Sequence, residues 1–135
     1  MADGLGNLNP LKVLGNDGIL YAASFQCNAA ANPLASTFRA PPGLVFSVTY
    51  SATGVYTVTL DASLNLPDLP LYIEANPQFA TMATDWFDCG VVGEFNRTTR
   101  SFVIQAHRSG TGQAPAATAG NRINFSIQFR NSTSR

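Results

Sequence analysis

Apolar and polar residues alternate along several short stretches of the chain. The alternation is clearest over residues 44–51 and 55–61, where every second side chain is apolar and most of the others are Ser or Thr. A period of two places the apolar side chains on one face of a β-strand and the polar ones on the other. Because a short link containing Gly54 joins the two runs, residues 44–61 predict a β-hairpin with one buried face.

Five other stretches have strand-like patterns and are separated by Gly, Pro and Asn turn signals. They span residues 19–27, 71–75, 91–95, 101–107 and 123–130. Asn76-Pro77 is expected to end the second of these strands, and residues 79–90 fit neither the strand period nor the helix period. No stretch combines helix caps with an apolar stripe of helical period. We therefore expect an all-β fold, an antiparallel β-sandwich or jelly-roll-like single domain over residues 18–135.

The same alternation predicts which side chains lie between the two sheets. The expected core consists of Phe25, Phe46, Val48, Tyr56, Val58, Leu60, Ile73, Phe102, Ile104, Phe125 and Ile127. The Thr side chains on the other face of the hairpin suit a sheet surface in contact with water.

Residues 1–17 differ from the rest of the chain and are expected to form an extended N-terminal arm. Gly, Asn and Pro interrupt any regular element there, yet apolar side chains lie among them: Leu5, Leu8, Leu11, Val13 and Leu14. These side chains would expose apolar surface to water if the arm were free, so we predict that they contact a partner or the domain itself. The first residues lack the basic and apolar segments of a secretory signal, so we expect synthesis in the cytoplasm.

Charged residues are few and unevenly placed. They make up 12% of the 135 residues and sum to a formal net charge of zero, so no overall field attracts nucleic acid or a membrane surface. All eight acidic residues lie at or before Glu94, whereas every charged residue after it is an arginine. The late arginines either neutralise the acids within the fold or bind an acidic partner, with Arg97 and Arg100 as the predicted contacts. No apolar run reaches the roughly 18 residues of a membrane span.

The sequence contains no recognisable catalytic or metal-binding motif. His107 is the only histidine, and a hydrolase would need it to act with an acid such as Asp85 or Asp88. Carboxylates three residues apart point to opposite faces of a strand, so they do not converge on one. Cys27 and Cys89 lack the spacing of a zinc site and are expected to be buried free thiols. We predict no enzymatic activity, no cofactor and no metal site.

Three aromatic residues have two possible uses. Tyr50, Tyr72 and Trp86 would form a platform for stacking sugar rings if they were exposed together. Packing into the core is the expected use of each, because aromatic side chains dominate the interior of β-sandwiches.

Three stretches, Val48–Asp61, Ser101–Gln105 and Asn124–Phe129, share a further pattern. A strand of the form Gly-x-Tyr-x-Val-x-Leu follows a polar hairpin, and an alternating Phe-x-Ile strand ends the domain. Together, over about residues 44–130, they resemble small β-sandwich modules of tailed-bacteriophage and prophage virion proteins. The resemblance does not extend to the arm or to the Gly- and Ala-rich residues 109–120.

The resemblance implies a structural protein without catalytic residues. Its family includes head decoration, or cement, proteins and also fibre tips. Because fibres are usually long chains with a separate anchor, a single domain with an arm favours decoration. We expect the protein on the outer surface of the capsid, where it binds the major capsid protein and stabilises neighbouring subunits. The alternatives are a fibre tip or lectin-like receptor-binding module and, third, a small hydrolase.

We also expect the protein to bind copies of itself. A sandwich has open sheet edges, and this sequence has few charged residues that could prevent those edges from pairing with another chain. A dimer or trimer with closed symmetry, placed on a symmetry axis of the particle, would cover such edges. Neither a nucleic acid nor a membrane is expected as a partner.

Overall fold

The computed structural model describes residues 18–28, 30–64, 70–80, 87–107 and 121–130, with the backbone alone for Gly18, Ile19 and Arg130. These residues form seven strands and one short 3-10 helix. In chain order they are β1 (Gly18–Gln26), the 3-10 helix Ala35–Thr37, β2 (Phe46–Ala52), β3 (Val55–Leu60), β4 (Pro70–Gln78), β5 (Asp88–Asn96), β6 (Ser101–His107) and β7 (Arg122–Arg130). The predicted arm, with Leu5, Leu8, Leu11, Val13 and Leu14, lies outside the described residues.

The strands form two antiparallel sheets that enclose one core. A three-stranded sheet has the order β1-β7-β4, and a four-stranded sheet has the order β2-β3-β6-β5. The pairs β2–β3 and β5–β6 are hairpins, whereas β7 pairs with two strands from earlier parts of the chain. The predicted all-β antiparallel sandwich is therefore confirmed.

Phe125 of β7 lies at the centre of the core and links the two sheets. Its ring centroid is 6.3 Å from that of Phe25 in its own sheet. It is 5.2 Å from Phe46 and 5.5 Å from Phe102, both in the four-stranded sheet. Edge-on ring contacts of this kind add stabilisation beyond the burial of area. The predicted core is confirmed except at Ile73, which is half-buried at its margin.

Strand β4 is longer than the sequence predicts. We expected Asn76-Pro77 to end it, but the strand continues to Gln78, with Pro77 opposite Ile123. One side of β4 pairs with β7, and no other described strand pairs with its second side. An edge strand tolerates proline because the missing N–H can face the open side without breaking a ladder hydrogen bond.

The edge strands β1 and β5 differ in their local structure. At the outer edge of β1, Ser24 and Arg39 exchange two backbone hydrogen bonds of 2.8 and 2.9 Å, so a short extra segment covers that edge. Strand β5 instead has an irregularity in its pairing between Val92 and Asn96. Gly93, within it, has a φ of +75°, which side-chain-bearing residues rarely adopt. Between these two pairs β5 has three residues and β6 has one, so the regular pairing of the two strands is interrupted here.

Candidate binding surfaces

The outer face of the three-stranded sheet carries polar side chains in register. Asn76 of β4 lies opposite Asn124 of β7, and Asn124 lies opposite Ser24 of β1. Ser24 in turn pairs with Arg39 at the sheet edge. The neighbours of these residues along the strands, such as Phe125, point into the core, so the four side chains share the outer face. We call Arg39, Ser24, Asn124 and Asn76 the polar row.

A shallow cavity of about 530 Å³ lies over the polar row. Small side chains, Ala22 and Ala40, contribute to its lining and leave room above the sheet. The cavity is widely open to solvent, so a ligand bound in it would keep much of its own surface in contact with water. Beside it, the Ser126 hydroxyl donates a hydrogen bond of 3.2 Å to Oε1 of Glu74.

A buried arginine lies next to the polar row. Arg122 is 6% exposed, and its Nε and Nη2 donate to Oγ of Ser24 at 3.2 and 3.0 Å. Nη2 also donates to the carbonyl oxygen of Thr37. All these acceptors are neutral. Burial lowers the pKa of Arg122, and repulsion from the positive charge of Arg39 lowers it further.

The four-stranded sheet has a contrasting outer face. Ser47, Thr59 and Ser101 are aligned across three strands, and the next row contains Thr49, Thr57, Val103 and Val92. We call these two rows the uncharged face, because none of their side chains carries a charge. Charged residues are depleted at the centres of protein–protein interfaces, so this composition suits contact with another protein.

A groove lined by both apolar and polar groups runs between the neighbouring edges of β4 and β5. Its volume is about 390 Å³, and its lining includes Leu71, Tyr72, Ile73, Val91, Phe95 and the exposed Glu94. Leu71 is 57% exposed, and Tyr72 is 47% exposed. Within the described residues, no backbone hydrogen bond joins β4 to β5. The groove therefore combines exposed apolar surface with two open strand edges.

The two cysteines are free thiols, as predicted, and are poor nucleophiles. Burial raises the pKa of Cys27 to about 12 and is also the main cause that raises the pKa of Cys89 to about 12. The thiolate is the reactive form of cysteine, so almost none is present near neutral pH. Cys27 is buried, whereas Cys89 is only half-buried.

The residues weighed for hydrolysis are only partly brought together. Asp88 and His107 lie opposite each other on β5 and β6, which the sequence spacing did not reveal. Both are exposed, and no hydrogen bond or ion pair joins them. Asp85 lies outside the described residues. Among the residues that are described, no group of acidic, histidine or cysteine side chains could hold a metal ion.

The two arginines predicted to contact a partner have different surroundings. Arg97 is exposed in the turn between β5 and β6. Arg100, in the same turn, is half-buried with a φ of +59°, and its Nη2 donates to the carbonyl oxygen of Leu64. Arg100 therefore ties this turn to the loop after β3, while its role in partner binding stays a prediction.

The alternative use of three aromatic residues, a sugar-stacking platform, is not assembled from the tyrosines that the structure describes. Tyr50 is half-buried, with its ring centroid 6.3 Å from that of Tyr56 in the core. Tyr72 is 47% exposed on the other sheet, so the expectation that it packs into the core is wrong. Trp86 lies outside the described residues.

Comparison with known proteins gives no match. No protein-family model, curated protein or solved structure matches the chain. In the described part of the chain, no helix is long and apolar enough to cross a membrane. The candidate surfaces must therefore be judged on their own geometry.

Proposed function

We propose that the protein is a non-enzymatic virion structural protein that decorates the outer surface of a tailed-phage head. In this role it binds the major capsid protein and stabilises neighbouring capsid subunits. The main support is the groove between β4 and β5, where exposed apolar side chains lie beside two strand edges that pair with no other described strand. Exposed apolar surface at unpaired edges favours association with another chain.

Two further features support docking on a large assembly. The uncharged face offers a second surface. Its desolvation costs less free energy than that of a charged surface, because no charge must lose its water. The arm, residues 1–17, adds apolar side chains, and covering them with a partner would lower the free energy of the complex. Many copies acting together on one particle would raise its stability well beyond a single weak contact.

The first test separates the arm from the folded domain. A variant lacking residues 2–14 is expected to melt like the full chain but to lose binding to isolated heads. Full binding by this variant would remove the arm from the mechanism. Failure of the full chain itself to bind heads would overturn the proposed function.

A matched pair of substitutions tests the groove. Leu71→Asp places a charge in the groove, whereas Leu34→Asp makes the same change at a side chain that is 64% exposed and does not line it. We expect the first variant to lose head binding and the second to keep it. Both should remain folded, because both side chains are exposed. Equal binding by the two variants would contradict docking through the groove.

Self-association is part of the same proposal. A dimer or trimer that pairs the open edges of β4 or β5 would cover the unpaired backbone groups there. Light scattering of the purified chain should give a multiple of the 14.3 kDa mass. A monomer mass, together with isolated monomers on the particle, would contradict this part.

A second candidate function is a fibre tip or lectin-like module that binds a receptor. The polar row and its cavity favour it, because amide and hydroxyl groups in a shallow cavity suit the hydroxyls of a glycan. Binding to host cells without binding to heads would favour this candidate over capsid decoration.

A further inference from the structure

The cavity over the polar row contains a cationic group, Arg39, that has no carboxylate partner among the described residues. In the described part of the chain, neither Arg39 nor Arg122 forms a salt bridge with a carboxylate. Three strand spacings and two residues along β4 separate Arg39 from Glu74, the acid on the same face, a backbone distance of about 16 Å. This exceeds the screening length of about 8 Å at physiological salt, so Glu74 does not neutralise Arg39. An anionic group bound at Arg39 would supply the missing charge.

The groups beside Arg39 are suited to hydroxyls. The side chains of Asn76 and Asn124 form no hydrogen bond with any other described residue. Each amide offers both a donor and an acceptor, which is what a sugar hydroxyl requires. Oγ of Ser24 already accepts two N–H groups of Arg122, so its own proton is the group left to donate. Arg122 thereby fixes the direction of one hydrogen bond in the row.

The row therefore has a charged end and a neutral end. The Arg39 guanidinium is exposed at the sheet edge, where its planar fork can hold a carboxylate through two parallel hydrogen bonds. Asn124 and Asn76 follow at successive strand spacings of about 4.8 Å. A ligand that fits this order carries one carboxylate and, next to it, a series of hydroxyls.

We propose that the cavity over the polar row binds a carboxylate-bearing sugar, with Arg39 holding the carboxylate and Asn124 and Asn76 holding the ring hydroxyls. This inference rests on the second candidate function, receptor binding, and names its ligand class. A hexuronic acid and a sialic acid both have this chemistry.

The test measures binding of the full chain to matched acidic and neutral sugars. A glucuronate-containing disaccharide, sialyllactose and the methyl ester of each are titrated by calorimetry. We expect the acid of at least one pair to bind about tenfold or more tightly than its ester, because the ester cannot accept the charged fork. The pair that binds identifies the source of the sugar.

Three variants locate the site. Arg39→Gln should bring binding of the acid down to that of the ester, while Asn124→Ala should weaken both forms. Gln105→Ala removes an exposed amide from β6 in the four-stranded sheet, so it is the matched control for Asn124→Ala and should bind like the unaltered chain. Unchanged melting temperatures would show that all three are folded.

The outcomes separate this inference from the function on which it rests. Equal binding of acid and ester, or acid binding that survives Arg39→Gln, would overturn the inference while leaving receptor binding intact. Absence of binding to all four sugars would also overturn it. Host-cell binding by the same preparation would then show whether the receptor-binding candidate survives.

Discussion

The two sheets share one core but present opposite chemistry to their surroundings. The three-stranded sheet has amides, hydroxyls and arginines outside, and one of these arginines, Arg122, is itself buried. The four-stranded sheet has Ser, Thr and Val side chains over most of its outer face, with Asp88 and His107 at one end of β5 and β6. Both faces depend on the same buried aromatic side chains for their positions. One core therefore supports two different outer faces. Substitutions on a face should change binding with little effect on stability, whereas substitutions in the core should change stability.

The largest expected effect comes from removing the side chain that both sheets share. Phe125→Ala would leave a cavity among Phe25, Phe46 and Phe102, and we expect a loss of about 3–5 kcal/mol in the free energy of unfolding. Urea denaturation measures it, with Val45→Ala at an exposed site as the control, where a change within about 0.5 kcal/mol is expected. A loss below about 1 kcal/mol for Phe125→Ala would show that the sheets do not share one core.

A smaller effect should be confined to the three-stranded sheet. Arg122→Met removes the donors to Ser24 and Thr37, and we expect a loss of about 1–3 kcal/mol in the free energy of unfolding because these acceptors stay buried. Hydrogen exchange should increase in β1 and not in the β2–β3 hairpin. Arg122→Lys keeps the charge but not the planar guanidinium. Its free energy of unfolding should lie between those of Arg122→Met and the unaltered chain.

The opposite result for Arg122→Met would be informative. Removing a buried charge stabilises some proteins, since the charge no longer has to lose its water. If the Met variant is as stable as the unaltered chain, the desolvation of Arg122 outweighs its hydrogen bonds. The polar row would then be maintained at a cost in stability.

The smallest expected effect is a loss of stability at high pH that comes from the two thiols, Cys27 directly after β1 and Cys89 in β5. The pKa of Cys27 rises from about 8.5 in an unfolded chain to about 12 in the fold. Its contribution to stability is complete below pH 8.5 and is lost as pH rises towards 12, because the unfolded chain then releases the proton and the fold does not. Between about pH 8.5 and pH 10, below the ordinary range of tyrosine, the expected loss is roughly 1 kcal/mol per pH unit.

Cysteine variants check this slope. Cys27→Ala and Cys89→Ala should each flatten the decline of the urea midpoint above pH 8.5 by about the same amount, because burial raises the pKa of both thiols to about 12. A flatter decline in only one of the two variants would contradict this.

The strands that were predicted best are those with strict alternation. Residues 101–107 match β6, and the β2–β3 hairpin lies within residues 44–61. Alternation is a local property, so the sequence displays it directly. The extent of β4 was wrong because the effect of Pro77 depends on whether a strand is central or at an edge, which is a property of the whole sheet.

The candidate sites were less accessible to prediction. The polar row joins side chains from β1, β7, β4 and an edge segment, and its register is set by pairing between distant parts of the chain. Arg122 is bound by Ser24 and Thr37, which are 98 and 85 residues away in sequence. No local pattern marks such a set. The exposed groove was missed for the same reason, because β4 and β5 become neighbours only when the two sheets pack.

The pairing of β1 with β7 has a consequence for how the protein is made. Gly18 lies opposite Arg130, and the register continues without a break to Gln26 opposite Arg122. During translation β1 is synthesised long before its partner, so the three-stranded sheet cannot close until Arg130 has left the ribosome. Folds dominated by such non-local pairs also fold slowly. The nascent chain therefore has to remain unaggregated, with its early apolar strands uncovered, until the strand that covers them has been synthesised.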